Sequence, residues 1–509
     1  MTKNQCRQGE EAVARFVIAN RRAGKFHETE KRAARAMMER SVASIASSVN
    51  VLADDAPSDE LARRVMVVEA EPVDVAAMLG HPDVLVEPEI LHYREVVKPT
   101  DFAEASRAGL AAPVPAGVRT ITVNVRGGGQ PLRGAMVFLF LRPLFGDARE
   151  MKQTTGANGR VSFTFPASLT ASALTIVPAG NFWTMVVRGP SSTVNVNCLR
   201  LPTGRLGWWH RALGQATFNA NRGAGIRVGV ADTGVGPHPA LAHVADVGAF
   251  IGGQTSAPPA GRDVDSHGSH VCGTIGARPT GAGQFGGIAP GANLFSARVF
   301  PNADDGANQG DIARAIDALS RTHRVDLINL SLGAEVGSAI ERDAIQDALE
   351  RGTLTICAAG NSRGAVEFPG AFEQVVGVSA LGQLGTAPAG TLSASRVPGG
   401  ADRHGVDNLF LANFSCFGPE IDCSGPGVAV IATVPERFGL IAPYGGMDGT
   451  SMASPAVVGA TAVLLSRSST YAALPRDITR AEMARTLLKQ ACRVIGLHAS
   501  FQGNGLPTL

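Results

Sequence analysis

The feature that most constrains the fold is an alternation of apolar, strand-like runs with helical patterns across residues 200–509. Apolar runs such as 325–332 and 353–359 alternate with helical patterns at 309–321 and 339–351. Strands that alternate with helices usually lie parallel, because each helix crosses back over the sheet before the next strand begins. The sequence therefore predicts an α/β fold here, with a mostly parallel sheet and helices on both faces.

Three glycine-framed motifs lie beside these apolar runs. Asp232 lies in VGVADTG (228–234), His267 in DSHGSHV (265–271) and Ser451 in GTSMASP (449–455). Ser451 precedes a long apolar run, so we expect it at the start of a buried helix with Pro455 in the first turn. A helix start offers unpaired N–H groups and a positive dipole end, which suit a nucleophile that carries developing negative charge.

Each of these residues alone is ordinary, because an Asp or Ser often caps a helix and a His is often structural. Together they indicate nucleophilic catalysis. Ser451 Oγ would attack a peptide carbonyl and His267 would accept its proton, while Asp232 would hold the imidazole in the required tautomer. Asn361, in a Gly-Asn turn after an apolar run, would donate to the oxyanion together with the Ser451 backbone N–H.

The order Asp, His, Ser and the motifs between them resemble the subtilisin-like serine protease family. The linking motifs are GIAPGA (287–292), VDLINLSLG (325–333), AAGN (358–361) and FPG (368–370), and the resemblance covers roughly residues 205–505. It implies a serine endopeptidase that acts on protein or peptide substrates. It also implies that six residues line the primary specificity pocket: Ser331, Leu332, Gly333, Ala358, Ala359 and Gly360. The edge 331–333 would pair with an extended substrate strand.

Glu367, directly before Phe368-Pro369, is the candidate for the floor of that pocket in the resembled fold. A carboxylate there would favour Arg or Lys before the cut, through a charge-assisted pair. Asp304 and Asp305 would add acidic character beside residues further upstream in the substrate. The alternative is that the short loop 362–366 shifts the register, so that Glu367 pairs with Arg363 or faces water and the pocket takes apolar residues.

We expect no metal and no other cofactor. Members of the resembled family often hold calcium on a loop after the histidine helix. Here that loop (278–286) offers only Thr280 and Gln284 as side-chain oxygen ligands, whereas calcium prefers carboxylate-rich sites.

Four segments precede the predicted catalytic domain at 200–509. Residues 1–50 are predicted to be a helical N-terminal arm, either a solvated arm or a partner-docking element. Residues 51–98 have a strand–helix–strand pattern that resembles the inhibitory propeptides of the same protease family; the alternative is a generic α/β adaptor. Residues 99–117 are a Pro- and Ala-rich linker. Residues 118–199 predict a small antiparallel β-sandwich, similar to transthyretin-like and carboxypeptidase-regulatory-like modules, with a binding or spacing role.

Composition excludes some partners and leaves two classes of function. The 509 residues carry a net charge of +2, which gives no electrostatic reason for nucleic acid binding, and no run is long enough for a membrane helix. The polar N-terminus and seven cysteines predict a cytoplasmic protein with reduced thiols, or one exported without a cleaved signal. The complete set of catalytic residues favours an active endopeptidase, inhibited by its own N-terminal region, over a protease-shaped binding module.

Overall fold

The computed structural model describes residues 13–25, 27–45, 49–76, 78–96, 117–143 and 148–509. The N-terminal domain is a four-stranded antiparallel sheet, in the order β2-β3-β1-β4, with two helices. Its elements are β1 (Ala14–Asn20), α1 (Glu28–Ile45), β2 (Asn50–Asp55), β3 (Val65–Ala70), α2 (Pro72–Ala76), β4 (Val84–Pro88) and β5 (Leu91–Arg94). The predicted linker at 99–117 lies outside the described residues except for Gly117.

The prediction of a helical arm over residues 1–50 is wrong for Ala14–Asn20, which form the strand β1. Phe16 and Ile18 pack with Met38 of α1, whereas Val17 and Ala19 join a different core that belongs to the C-terminal domain. A strand that is buried on both faces is apolar without a period of two, so its sequence does not differ from that of a buried helix. Residues 13–96 therefore form one unit.

The next unit is a sandwich of two four-stranded sheets. One sheet has the order β10-β6-β13, with β7 beside β6, and the other has the order β12-β11-β8-β9. All strand pairs are antiparallel except β13 with β6, which is parallel. The strands are β6 (Val118–Gly127), β7 (Gln130–Pro131), β8 (Met136–Arg142), β9 (Arg149–Thr154), β10 (Arg160–Pro166), β11 (Thr170–Val177), β12 (Met185–Arg188) and β13 (Thr193–Cys198).

The C-terminal domain is built on a nine-stranded sheet in the order β16-β15-β17-β14-β19-β21-β22-β23, with β24 also beside β22. Only the edge strands β16 and β23 are antiparallel, so the predicted α/β fold class is confirmed. The strands are β14 (Arg227–Asp232), β15 (Ala245–Ile251), β16 (Gln254–Ser256), β17 (Asn293–Arg298), β18 (Ala307–Asn308), β19 (Leu327–Leu330), β20 (Leu332–Gly333), β21 (Leu354–Ala358), β22 (Val376–Gln383), β23 (Leu409–Leu411), β24 (Ile421–Pro426), β25 (Val430–Thr433), β26 (Tyr444–Met447), β27 (Cys492–Arg493) and β28 (Leu506–Pro507).

Helices cover both faces of this sheet. Along β14, Val228 and Val230 join the core under α4 and α7, while Ala231 joins the core under α5 and α6. The helices are α3 (Trp208–Ala212), α4 (His267–Gly276), α5 (Gln309–Asp317), α6 (Ala339–Glu350), α7 (Thr450–Ser466), α8 (Ser469–Ala473), α9 (Ile478–Ala491) and α10 (Ala499–Gln502). In the described part of the chain, no helix is long and apolar enough to cross a membrane.

The N-terminal domain docks on α5 and α6 through a buried cluster of charges. Arg63, which is fully buried, contacts Asp317 of α5 at 3.2 Å and Asp347 of α6 at 3.1 Å, and it also pairs with Asp343. Arg22 reaches Asp347 at 3.3 Å from the same side. Burial alone would raise the pKa of Asp317, but the nearby arginines hold it well below its usual value. The interface therefore matches cations of one domain with anions of the other.

Candidate active site

Asp232 and His267 meet at the carboxyl end of the central strand. Asp232 is the last residue of β14, and His267 is the first residue of α4. His267 Nδ1 donates to Asp232 Oδ1 at 2.7 Å, and both side chains are about 1% exposed. The carboxylate thus fixes the tautomer in which Nε2 is free to accept a proton.

A second carboxylate, Asp263, holds the start of α4 against the loop after β14. Asp263 accepts hydrogen bonds from the Thr233 hydroxyl at 2.8 Å and from the Ser269 backbone N–H at 3.0 Å. Thr233 Oγ1 in turn accepts from Gly268 N at 2.8 Å. Burial raises the pKa of Asp263 to about 6. Sequence analysis missed this residue, although it lies close before the histidine motif.

Ser451 is the second residue of α7, whose N-cap is Gly449 at a φ of 156°. A methyl group on Gly449 would lie 2.2 Å from the carbonyl oxygen of Glu95, so only glycine fits. Pro455 lies inside the helix, one turn later than predicted, because α7 begins at Thr450. Its missing N–H leaves the Ser451 carbonyl without its usual helical partner. The Ser331 hydroxyl donates to that carbonyl at 2.9 Å and thereby ties α7 to the strand edge.

Asn361 is oriented by Thr450, a residue that sequence analysis did not single out. Its Oδ1 accepts from Thr450 N at 3.0 Å and from Thr450 Oγ1 at 3.1 Å. Its Nδ2 is buried and has no hydrogen-bond partner within the described residues. Beside it, the Ser451 N–H donates to the carbonyl oxygen of Glu95 at 3.0 Å. These two N–H groups are the donors expected for an oxyanion.

The chain's own strand β5 fills the cleft in front of Ser451. β5 lies between two strand edges: Arg94 and Tyr93 pair with Leu332 and Gly333 of β20, and His92 and Leu91 pair with β18. Beyond β5, Glu95 N donates to Ser331 O at 3.3 Å. The predicted substrate edge at 331–333 is therefore occupied, and the Glu95–Val96 peptide bond lies at Ser451, the candidate nucleophile.

With the cleft filled, the Ser451 hydroxyl donates to Ser331 O at 3.0 Å instead of to the histidine. His267 Nε2 has no hydrogen-bond partner within the ranges described above. Hydrogen bonds between nucleophile and base are often incomplete outside the reacting complex, so this geometry is compatible with a triad.

Glu367 lies at the pocket predicted for the residue before the cut. A methyl group built on Gly360 would lie 2.8 Å from Glu367 Oε1, and one built on Gly333 would lie 2.9 Å from Glu367 Oε2. The carboxylate thus touches both predicted walls, of which Ala358 and Ala359 are fully buried members. The Glu95 carboxylate enters the same space, with Oε1 2.8 Å from the methyl position on Gly333. Cys416 Sγ donates to Glu367 Oε1 at 3.8 Å, and within the described residues Arg363 forms no ion pair with this carboxylate.

Two more acidic side chains contact β5. The first is Asp265, which pairs with Arg94. Of the two aspartates predicted to lie near the upstream part of the substrate, Asp304 lines the cavity beside Arg94, whereas Asp305 contacts Asn302 at 2.5 Å. His92 Nε2 lies 3.1 Å from Glu341 Oε2, and both side chains are fully buried. Asp265 and Glu341 were not predicted from the sequence. Both contacts join residues that are far apart in the chain.

The loop after α4 uses its polar groups internally. Gln284 Oε1 accepts from Thr280 N at 2.9 Å and from Gly281 N at 2.9 Å. Over the described ranges, no group of three or more His, Cys, Asp or Glu side chains is arranged to hold a metal ion.

Comparison with known proteins gives consistent matches. The model of the subtilase family matches residues 223–505. The thermostable alkaline protease of Halalkalibacterium halodurans is 32% identical over 285 residues, which cover 56% of this chain and 66% of that protein. Subtilisin Savinase of Lederbergia lenta is 30% identical over 267 residues, which cover 52% of this chain and 86% of that protein.

A solved structure shares the fold over nearly the whole chain. The crystal structure of fervidolysin from Fervidobacterium pennivorans, a keratinolytic enzyme related to subtilisin, superposes with a TM-score of 0.57 at 20% identity. The match covers 99% of this chain and 61% of that chain. At this identity the likeness concerns the fold alone.

Proposed function

Since the chain belongs to the subtilase family of serine endopeptidases, we propose that Ser451, His267 and Asp232 form its catalytic triad and that Asn361 stabilises the oxyanion. The observation that carries this proposal is the hydrogen bond from the Ser451 N–H to the carbonyl oxygen of Glu95, in a strand that lies in the cleft as a substrate would.

In the proposed mechanism, Ser451 Oγ attacks the carbonyl carbon of the bound peptide and His267 Nε2 takes the hydroxyl proton. The developing negative oxygen receives hydrogen bonds from Ser451 N and Asn361 Nδ2. His267 then protonates the leaving amine, and an acyl-enzyme remains. Water attacks the acyl-enzyme by the same route and frees the carboxylate product. Asp232 stabilises the imidazolium in both halves of the reaction.

We propose further that the N-terminal domain inhibits the enzyme in cis. The support is that β5 occupies both strand edges of the cleft, while its domain is anchored on α5 and α6 by the Arg63 cluster. A tethered segment acts at roughly millimolar effective concentration when its linker spans the distance, so modest affinity suffices. A chain that begins at residue 117 should therefore cleave peptides faster than the full chain, and an added fragment 1–116 should suppress it.

We propose as well that the enzyme prefers Arg or Lys as the residue before the cut. This preference is supported by Glu367, whose carboxylate contacts both walls of the pocket. A Lys or Arg side chain would form a charge-assisted pair there. Glu95 instead brings a like charge to Glu367, and like charges in a partly desolvated site repel. The chain's own segment would therefore lack the charge-assisted pair that a basic residue forms, and it would be cleaved more slowly than a segment with Arg or Lys at this position.

Labelling with a fluorophosphonate probe tests the triad. We expect the chain that begins at residue 117 to be labelled and to hydrolyse a peptidyl p-nitroanilide, the full chain to do both more slowly, and Ser451→Ala to lose both properties. His267→Ala should also lose most of the activity. The double variant Ser451→Ala/His267→Ala should lose no more activity than either single variant, because the residues act as one unit. Asn361→Ala should lower kcat by about a hundred- to a thousandfold with little change in KM. Hydrolysis by Ser451→Ala at the wild-type rate would contradict the proposal.

A further inference from the structure

The β-sandwich contacts the catalytic domain at one edge, through hydrogen bonds and a buried tryptophan. Asn181 N donates to Tyr444 O at 2.6 Å, Val186 N to Gly390 O at 2.9 Å and Leu392 N to Thr184 O at 2.9 Å. Trp183, which is 3% exposed, belongs to the core of the catalytic domain. These contacts give the sheet β12-β11-β8-β9 a defined orientation towards the active site.

The strand β8 is apolar on both faces. Val137, Leu139 and Leu141 point into the sandwich core, as one face of a sandwich strand should. Phe138 and Phe140, on the other face, form a second apolar cluster and are only 8% and 3% exposed. The outer face of an antiparallel sheet is usually polar because it meets water. This outer face instead faces the catalytic domain.

A cavity of about 670 Å³ lies between that outer face and the catalytic centre. The sandwich contributes the apolar residues Met136, Phe138 and Val177 together with the charged residues Glu150 and Lys152, and the catalytic domain contributes His267, Leu392, Met447 and Asp448. Val96, which follows the peptide bond held at Ser451, also lines the cavity. Arg94, which precedes that bond, lines the cavity as well, so the cavity is continuous with the substrate cleft and extends past the bond to the side of the leaving group. Its volume suits two or three side chains.

We propose that this face of the sandwich builds the subsites for the residues that follow the scissile bond, and that it selects apolar side chains there. The proposal rests on the peptidase function proposed above. Its occupant is the portion of a peptide substrate just after the cut. The reasons are the continuity of the cavity with the cleft and the apolar lining from Met136, Phe138, Val177 and Leu392. In the chain itself, the residue just after the held peptide bond is Val96, an apolar residue that lines the cavity.

Two substrates with the same four residues before the cut separate this role from catalysis. A peptidyl p-nitroanilide has no residues after the cut, whereas an internally quenched peptide with Val or Leu at the next two positions reaches the sandwich. For Phe138→Ala in the full chain, we expect kcat/KM on the quenched peptide to fall about tenfold. The rate on the nitroanilide should not change. Both substrates are measured on one preparation, so molecules whose cleft is still filled by β5 lower the two rates by the same factor, and the ratio of the rates is unaffected.

Controls distinguish a subsite from a loss of folding. Thr120→Ala and Thr164→Ala change exposed residues on the other sheet and should leave both rates unchanged. Met136→Glu should raise the rate on peptides with Arg after the cut relative to those with Val, a gain that unfolding cannot produce.

The outcomes are distinct. The proposal is overturned if Phe138→Ala and Met136→Glu hydrolyse the nitroanilide but keep two wild-type ratios: the rate on the quenched peptide relative to the nitroanilide, and the rate on the Arg peptide relative to the Val peptide. If neither the full chain nor the chain that begins at residue 117 hydrolyses the nitroanilide, the peptidase function itself is wrong, and the sandwich proposal falls with it.

Discussion

At the scale of single residues, the site depends on pairs in which one side chain orients another. Asp232 fixes the His267 ring at 2.7 Å, and Thr450 holds the Asn361 amide so that its Nδ2 is left for an incoming oxygen. Buried polar groups that lack a partner are costly. Asn361 Nδ2, which is buried and has no partner in the described chain, is the donor that the proposed mechanism assigns to the oxyanion.

The specificity pocket gives the first prediction at this scale. In a panel of peptides that vary only before the cut, we expect the wild-type enzyme to prefer Arg or Lys. Glu367→Gln should lose that preference by about tenfold or more, because the charged partner is gone. Cleavage after Leu should be unaffected. The Glu95→Arg chain should cut itself faster than wild type. A wild-type preference for Leu or Phe that ignores the Glu367 substitution would show that no acidic pocket operates.

At the scale of elements, the N-terminal domain is held by charges and by its last strand. The β4 residue Glu87 accepts from the Ser338 hydroxyl and from Ala339 N, each at 2.6 Å, and so caps the start of α6. Gln309, at the start of α5, donates to Pro88 O at 2.8 Å. A negative charge at a helix start is stabilised by the helix dipole. The same two helices, α5 and α6, thus carry both the buried charge cluster and these hydrogen bonds to β4.

Arg63→Gln tests that anchor. Removing one partner of a buried ion cluster costs up to about 3–5 kcal/mol, because the carboxylates stay buried while Arg22 and Arg351 compensate their charge only in part. We expect the full chain with Arg63→Gln to show higher peptidase activity than wild type before any cleavage occurs. Arg15→Gln is the matched control, since Arg15 pairs with Glu69 within the N-terminal domain and is 55% exposed. Equal activity in Arg63→Gln and Arg15→Gln would mean that the cluster does not hold the domain in place.

At the scale of the whole molecule, buried histidines make folding depend on pH. Burial lowers the pKa of His210 to about 3. The ring accepts from Gly207 N and contacts Gly286 O at 3.1 Å, an arrangement that suits neutral imidazole. An unfolded histidine titrates near 6.5, so the stability that neutral His210 contributes is full above about pH 6.5. It is lost as the pH falls towards 3.

The buried carboxyl group of Asp311 changes the stability of the fold with pH in the opposite direction. Burial raises the pKa of Asp311 to about 7, so its contribution is fully present at low pH and is lost as the pH rises through 7. The test is therefore a difference between variants, measured in a Ser451→Ala background that cannot digest itself. Between pH 6.5 and 4, His210→Gln should change the slope of unfolding free energy by about 1.4 kcal/mol per pH unit, towards acid resistance. An identical slope in both chains would contradict this account of His210.

The sequence predicts the parts of this molecule that local chemistry determines. The strand–helix alternation predicts the parallel sheet, and glycine-framed motifs identify Asp232, His267, Ser451 and Asn361 as candidates. Contacts between distant segments could not be predicted, because they depend on how domains dock. Glu95 at Ser451 and Arg63 among the aspartates are examples. The strand β1 does not differ in sequence from a helix because both of its faces are buried, and the burial of its second face, Val17 and Ala19, arises only from docking.

The most direct test of the account is the position of the self-cleavage site. Wild-type and Ser451→Ala chains are purified and incubated side by side, and their fragments are identified by intact mass and N-terminal sequencing. We predict a new N-terminus at Val96 in the wild type and an uncut Ser451→Ala chain, because the Glu95 carbonyl accepts from the Ser451 N–H. Cleavage of both chains at the same rate, or wild-type cleavage only at a bond far from Glu95–Val96, would contradict the account.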